Sequence, residues 1–304
     1  MVEEALKEEA MAAITVDPKA CVRCGGCVDV CVSAHVFEMT DAGSNAVRPD
    51  ACWGCGHCVS VCPVDAIDHD LFPLEDCPII EAGDMPSRDM LRAAFRFRRS
   101  IRTFQAKPVP RDIVRELVSI GRWAPTATNN QALDWIAFDE RARIGELADG
   151  TVQGMLRFAK LAGNPFVRPF VRMAVGQQTA RRLRSSGPLI EKMSDALANG
   201  IDPIFYHAPV VLIGHAQKGN LFGRDDAVYA MYNMMLACET YGLGTCQIGF
   251  FQAVVSRSPK LLRTLALPDG RVPQVAFALG YPARSYRRVP PRRTPDLTWN
   301  PRLG

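Results

Sequence analysis

Beyond its first quarter, this 304-residue chain is nearly free of cysteine. Nine of its 11 cysteines lie between Cys21 and Cys77, and only Cys238 and Cys246 follow. That distribution argues against a disulfide framework, which belongs to short secreted chains. No apolar run reaches about 18 residues, so a membrane-spanning helix is not expected. No block of five Lys or Arg occurs, and the net charge is only +4. A nucleic-acid surface is therefore not expected. The opening MVEEALKEEA is acidic and has no apolar core, so it does not read as a secretory signal. The Arg98-Arg99 pair lies too deep in the chain to act as a twin-arginine signal. The expected setting is a reducing cytoplasm, where clustered thiols usually bind metal. No Gly-x-Gly-x-x-Gly follows a strand, so the dinucleotide fingerprint does not apply.

What is present divides in two. Apolar residues make up 48% of the chain and charged residues 22%, enough for real cores. The length suits two domains. We expect one over residues 1–72, a proline-containing linker over 73–90, and a second domain over 91–304. The overall class expected is α+β.

An internal repeat dominates the first part. Cys21, Cys24, Cys27 and Cys31 recur as Cys52, Cys55, Cys58 and Cys62, offset by 31 residues. Each run reads Cys-x2-Cys-x2-Cys-x3-Cys. Zinc ribbons also use paired Cys-x2-Cys, but they need neither the third and fourth cysteines nor the repeat. Glycines at 25, 26, 54 and 56 let the backbone wrap closely and aim N–H groups at sulfur. This stretch resembles a bacterial-type ferredoxin with two [4Fe–4S] clusters. In that pattern the fourth cysteine of each run ligates the other cluster. The resemblance thus implies one cluster on Cys21, Cys24, Cys27 and Cys62, and a second on Cys52, Cys55, Cys58 and Cys31. Pro63 follows Cys62 as the pattern expects. Val32 stands where the other proline is expected, without removing a ligand. Cys77 lies outside both runs and reads as a buried or linker thiol.

In the second part, Pro110–Trp123 reads as a helix, with apolar residues at helical spacing. Leu133–Phe138, Val210–Ile213 and Val275–Leu279 read as buried strands. Asp225–Tyr241 reads as a longer helix capped by Gly242. Residues 141–200 read as several short helices, a candidate lid.

Three stretches there carry chemistry. Arg98, Arg99, Ser100 and Arg102 offer guanidinium forks and a hydroxyl to a phosphate; alone, such a run is an ordinary solvated face. The loop Pro125, Thr126, Ala127, Asn129 can bond the polar edge of a ring system, or be a plain turn. Gly242–Gly249 lets backbone approach a planar ligand. In this order and spacing the three resemble the FMN-dependent nitroreductase family over residues 92–304.

That resemblance implies a mixed central sheet flanked by helices. It implies that Arg98, Arg99, Ser100 and Arg102 hold FMN, with the 125–129 loop at its edge and Gln247, Ile248 and Gly249 near flavin N5. It further implies a C-terminal arginine, Arg288 or Arg292, at the phosphate. Ala127 lacks a hydroxyl relatives often carry, and Gln131-Ala-Leu-Asp-Trp135 departs from the usual Gln-Pro-Trp. The family builds its site across a homodimer, so a homodimer is expected. The helix bearing Met231, Met234, Met235 and Leu236 is a candidate interface, or ordinary core. No side chain stands out as a general acid; Tyr206 and His207, just before a strand, read either as facing a pocket or as structural, the commoner role of a lone histidine.

The expected function is an oxidoreductase. Electrons from an external low-potential donor pass through the clusters to FMN and on to a small organic acceptor such as a nitroaromatic or quinone. The alternative is a redox sensor or electron-transfer adaptor acting on a protein partner.

Overall fold

The computed structural model describes residues 13–300, apart from 167–168, 170–172, 174–175 and 179–184. The chain divides into two units: residues up to Pro86 together with Thr126–Gln131, and Ser87–Pro125 together with the remainder.

The first unit is built twice over. β1 (Ile14–Val16) pairs antiparallel with β4 (Ile67–His69), and β2 (Phe37–Thr40) forms a hairpin with β3 (Gly43–Ala46). Two five-residue helices, α1 (Gly26–Val30) and α2 (His57–Val61), repeat with the same offset as the cysteines. Each starts from a glycine in the left-handed region, Gly25 at φ 79° and Gly56 at φ 72°. A side chain there would be strained, which is why both copies of the repeat carry glycine. Ile14, Val36, Phe37, Val59 and Ile67 form the core, and Cys77 packs partly buried against it. Short 3-10 turns at Leu74–Asp76 and Ala82–Asp84 occupy the expected linker.

The second unit starts with α3 (Arg88–Phe97), whose first turn is capped by Ser87 accepting from the Met90 N–H. It continues through α4 (Arg111–Gly121), β5 (Asp134–Phe138), α5 (Arg141–Gly163), α6 (Gly187–Ala198) and β6 (Val210–Gln217). Then come α7 (Gly223–Ala237), β7 (Gly244–Gln247), α8 (Gly249–Val255), α9 (Pro259–Leu265) and β8 (Arg271–Gly280). The sheet order is β5-β6-β8-β7, and these strands pair antiparallel. Ser100 adds a parallel bridge to Thr245 at the open side of β7, so the sheet is mixed. β8 carries a bulge at Gln274: Val275 pairs with Gly214 of β6 and Pro273 with the next residue, His215, which leaves Gln274 between them. Proline has no N–H for the ladder, and a bulge is where a sheet tolerates it.

Alternate residues of the strands feed two cores. Val210, Leu212, Val275, Phe277 and Leu279 face α4 and α7. Val211, Ile213, Ala276 and Ala278 face α5, α8 and α9. Both faces of the central strands are covered, so β6 is apolar along nearly its whole length.

Met231, Met234 and Met235 are buried inside the chain against α4 and the sheet, as the core alternative for that helix has it, while Leu236 is half-buried. One expectation changes here. Residues 141–163 form one 23-residue helix rather than several short ones. It stays unbroken through Gly145, Gly150 and Gly154; at the last two, an added Cβ would fall 2.6 Å from Leu261 and 2.1 Å from Val254. Close packing explains these glycines, not a break. Much of the remaining candidate lid, within 167–184, lies outside the described residues.

Candidate functional site

In the first unit the fold brings together the cysteines that the ferredoxin resemblance pairs across the repeat. One cavity is lined by Cys21, Cys24, Cys27 and Cys62. A second is lined by Cys31, Cys52, Cys55 and Cys58. In each, three thiols come from one run and the fourth from the other. Among the described residues, no three His, Cys, Asp or Glu side chains converge as ligands of a single ion. A cubane cluster asks for something different: four thiolates spread around it, one to each iron. The donor set fits that group.

Backbone N–H groups aim at several of these sulfurs. Cys31 Sγ accepts from Val36 at 3.3 Å, and Cys62 Sγ from Ala66 at 3.2 Å. Cys52 Sγ accepts from Gly54 at 3.3 Å. The backbone N–H groups of Ser44 and Arg23 lower the pKa of Cys21, and burial pushes that of Cys58 up to about 11. A buried thiol that must ionise to bind metal ties assembly to proton release. His69 is buried beside Cys52, and burial holds its pKa below the ordinary value despite Asp70. A lone histidine two residues after Ile67 carries no sequence motif.

In the second unit, Arg98, Arg99, Ser100 and Arg102 lie along the edge of β7. The Ile101 N–H donates to the Thr245 carbonyl at 2.9 Å. Gly244 permits this: an added Cβ would meet Ile101 at 2.4 Å. The segment is pinned on its other side too, by Gln105 N–H donating to Tyr281 O and Ala283 N–H to Thr103 O, both at 2.9 Å. The Arg99 guanidinium donates back to the Arg98 carbonyl at 2.9 Å. Half-buried Glu239 lies near both arginines, and desolvation raises its pKa in spite of Arg98.

Arg102 sits 6.0 Å from the Tyr206 ring centre and close to Cys246. Burial raises the pKa of the Cys246 thiol, outweighing the pull of Arg102. Cys246 therefore stays a neutral thiol near pH 7 and does not cancel the arginine's charge. Burial likewise raises the pKa of Tyr206, whose ring lies beside Arg102. Tyr206 and His207 both have left-handed backbone, φ 61° and 54°. Strain of that kind in non-glycine residues often marks a functional turn. Tyr206 and Cys246 are thus neighbours of the arginine segment.

The chain after Cys246 runs on into the same neighbourhood. Ile248 N–H donates to Ala276 O at 2.9 Å, and the Gln247 amide donates to Gln252 Oε1 at 3.2 Å. Gln247 and Gly249 border an open hollow of about 580 Å³, flanked by Arg224 and Arg257. A larger cavity of about 760 Å³ lies elsewhere, among α5, α6 and the 200–210 turn. It shares only Phe104 with the arginine segment, so size alone does not locate the chemistry.

Thr126–Gln131 belongs to the first unit, where the Asn129 amide donates to the Gly54 carbonyl. Pro125 stays with the second unit. The loop's twist comes from Thr128 at φ 52° and Asn129 at φ 54°. Arg288 and Arg292 are exposed on the irregular segment after β8.

A nitroreductase family model matches residues 95–281, and a 4Fe-4S dicluster domain model matches residues 13–69. A chromium(VI) reductase of Pseudomonas sp. (strain G-1) is 27% identical over 203 residues, covering 67% of this chain and 70% of that protein. A nitrobenzene nitroreductase of Ectopseudomonas oleovorans is 27% identical over 215 residues, covering 65% of this chain and 88% of that protein. A Bacteroides fragilis nitroreductase structure with bound FMN aligns at a TM-score of 0.51 and 19% identity, over 70% of this chain and 98% of that one. The last likeness concerns the fold. The chain belongs to the nitroreductase family of oxidoreductases, with an iron–sulfur domain fused ahead of the family's fold.

Proposed function

We propose that the chain is an electron-relay oxidoreductase with two [4Fe–4S] clusters and FMN, acting on a small organic acceptor. The observation that carries this reading is the pair of cavities, each lined by three cysteines of one run and the fourth of the other. Arg98, Arg99, Ser100 and Arg102 are the residues we assign to FMN, with Gln247, Ile248 and Gly249 beside its ring. When bound, the clusters supply single-electron transfer and FMN turns paired electrons into a hydride equivalent.

The protein's own part is placement and charge. The strand pairing of Ile101 with Thr245 fixes the arginine segment against β7. Arg102, left charged by a neutral Cys246, favours an electron-rich ring edge. Backbone N–H groups on Cys31, Cys52 and Cys62 favour the reduced clusters. Nitroaromatics are the acceptor class we favour, from the nitrobenzene nitroreductase among the relatives. The homodimer in this reading has an apolar face to bury, since α3 exposes Met90, Phe95 and Phe97.

The test is the iron and flavin content of anaerobically purified protein, followed by a screen of nitroaromatics and quinones. About eight irons and one FMN per chain, with acceptor turnover, support the reading. Zinc in place of iron, or no bound flavin, contradicts it.

A further inference from the structure

Two buried polar side chains stand against cysteine sulfurs without being ligands themselves. The first is His69, 1% exposed at the end of β4. Its Nε2 lies 3.6 Å from Cys52 Sγ. On the other side of the ring, the Leu71 N–H donates to Nδ1 at 3.2 Å. A ring nitrogen that accepts carries no hydrogen, so the neutral ring holds its proton on Nε2, toward the sulfur. Asp70 Oδ1 also lies 3.3 Å from Nδ1, but that carboxylate is partly exposed and water can satisfy it. The opposite tautomer would point a lone pair at a metal-bound thiolate, which is repulsive. Phe72 packs edge-on against the imidazole, centroids 4.9 Å apart, and holds its plane.

The second is Ser44, 9% exposed, whose Oγ lies 3.0 Å from Cys27 Sγ. Once Cys27 binds iron as a thiolate, only the hydroxyl of the pair has a proton to give. Cys27 and Cys52 line different cavities.

We infer that His69 and Ser44 are positioning residues that set the reduction potentials of the two clusters separately, His69 Nε2–H donating to Cys52 of one and Ser44 Oγ–H to Cys27 of the other. The inference rests on the two-cluster reading above. A hydrogen bond to sulfur stabilises the more negative, reduced cluster more than the oxidised one, and so raises the potential. Each donor is buried, so water does not replace it easily when it is removed.

The experiment is a potentiometric titration of the full-length protein followed by electron paramagnetic resonance, with iron counted in every sample. His69→Phe should move one of two reduction steps to lower potential and leave the other in place. His69→Gln, which keeps an N–H donor, should move that step less. Ser44→Ala should lower the other step. Unmoved steps in His69→Phe and Ser44→Ala, with iron intact, would overturn the inference, as would both variants shifting the same step.

Should His69→Phe lose iron, the unmodified protein decides. With 15N-labelled histidine, the reduced protein should show a nitrogen hyperfine coupling that persists in His57→Ala. Its absence overturns the inference. Fewer than about eight irons in the unmodified protein defeats the two-cluster reading itself, and this inference with it.

Discussion

Cys62 lines the same cavity as Cys21, although the two belong to different copies of the cysteine repeat. Crossing of this kind predicts a selective loss. Cys62→Ser should damage the cluster of Cys21, Cys24 and Cys27 and spare the other. Iron should fall from about eight toward about four per chain, leaving one reduction step. Cys31→Ser should remove the complementary step. Loss in Cys62→Ser of the step that Cys55→Ser removes, rather than the one that Cys24→Ser removes, would show that each run serves its own cluster.

Arg102 should matter for flavin and not for iron. Replacing it with alanine removes charge-assisted bonds worth roughly 1.5–3 kcal/mol, or about 10- to 150-fold in affinity. Flavin should be lost on gel filtration of Arg102→Ala while iron content holds. Arg102→Lys keeps the charge but not the planar fork, and should fall between. Fluorescence of released flavin measures both.

Phe277 is fully buried in the centre of the sheet, edge-to-face with Trp135 at 6.1 Å between centroids. Phe277→Ala should destabilise the second unit by roughly 3–5 kcal/mol through lost burial and the cavity left behind. Urea unfolding followed by far-ultraviolet circular dichroism checks this.

Arg271 Nε donates to His215 Nδ1 at 2.7 Å, and the same guanidinium meets Asp134. Burial first, then Arg271, lowers the His215 pKa below its ordinary 6.5. The unfolded chain takes up a proton near pH 6.5 that the folded chain refuses, so stability should fall as pH drops below that point. The slope from this site is at most about 1.4 kcal/mol per pH unit. His215→Gln, which can still accept from Arg271, should lose less than the unmodified protein between pH 7.5 and 5.5. Equal losses in the two would assign the acid sensitivity to other groups.

At the alkaline end the same argument applies to Cys238, fully buried and held as a thiol up to about 12. An unfolded thiol ionises near its ordinary 9.0, so the folded state should weaken from pH 9 upward. Cys238→Ala should show a shallower alkaline loss in the same urea experiment.

The legible parts of this chain were those where chemistry forces a pattern. Spacing singled out the eight cysteines, while their grouping across the two runs, the one each cavity lining follows, came from the ferredoxin resemblance and not from the repeat itself. The Gly242 cap was legible because φ 66° there requires little but glycine. β6 and β8 were found but drawn too short, since Gly214, His215 and Pro273 interrupt their apolar runs while still lying in the sheet. The long α5 was not legible, since Gly150 and Gly154 answer to packing against Leu261 and Val254, which sequence does not show. Tyr206, Cys246 and His69 stand near the candidate sites through contacts far apart in sequence, and no local spacing announces them. Nothing local in the 125–131 sequence announces the hydrogen bond of Asn129 to Gly54 within the first unit.

The most direct test of the relay is to mix fully reduced protein with a nitroaromatic acceptor without oxygen and follow the absorbance of both cofactors. If the clusters feed the flavin, cluster and flavin signals return to their oxidised values together, with roughly four reducing equivalents delivered per chain. A flavin that reoxidises while the clusters stay reduced would contradict the account.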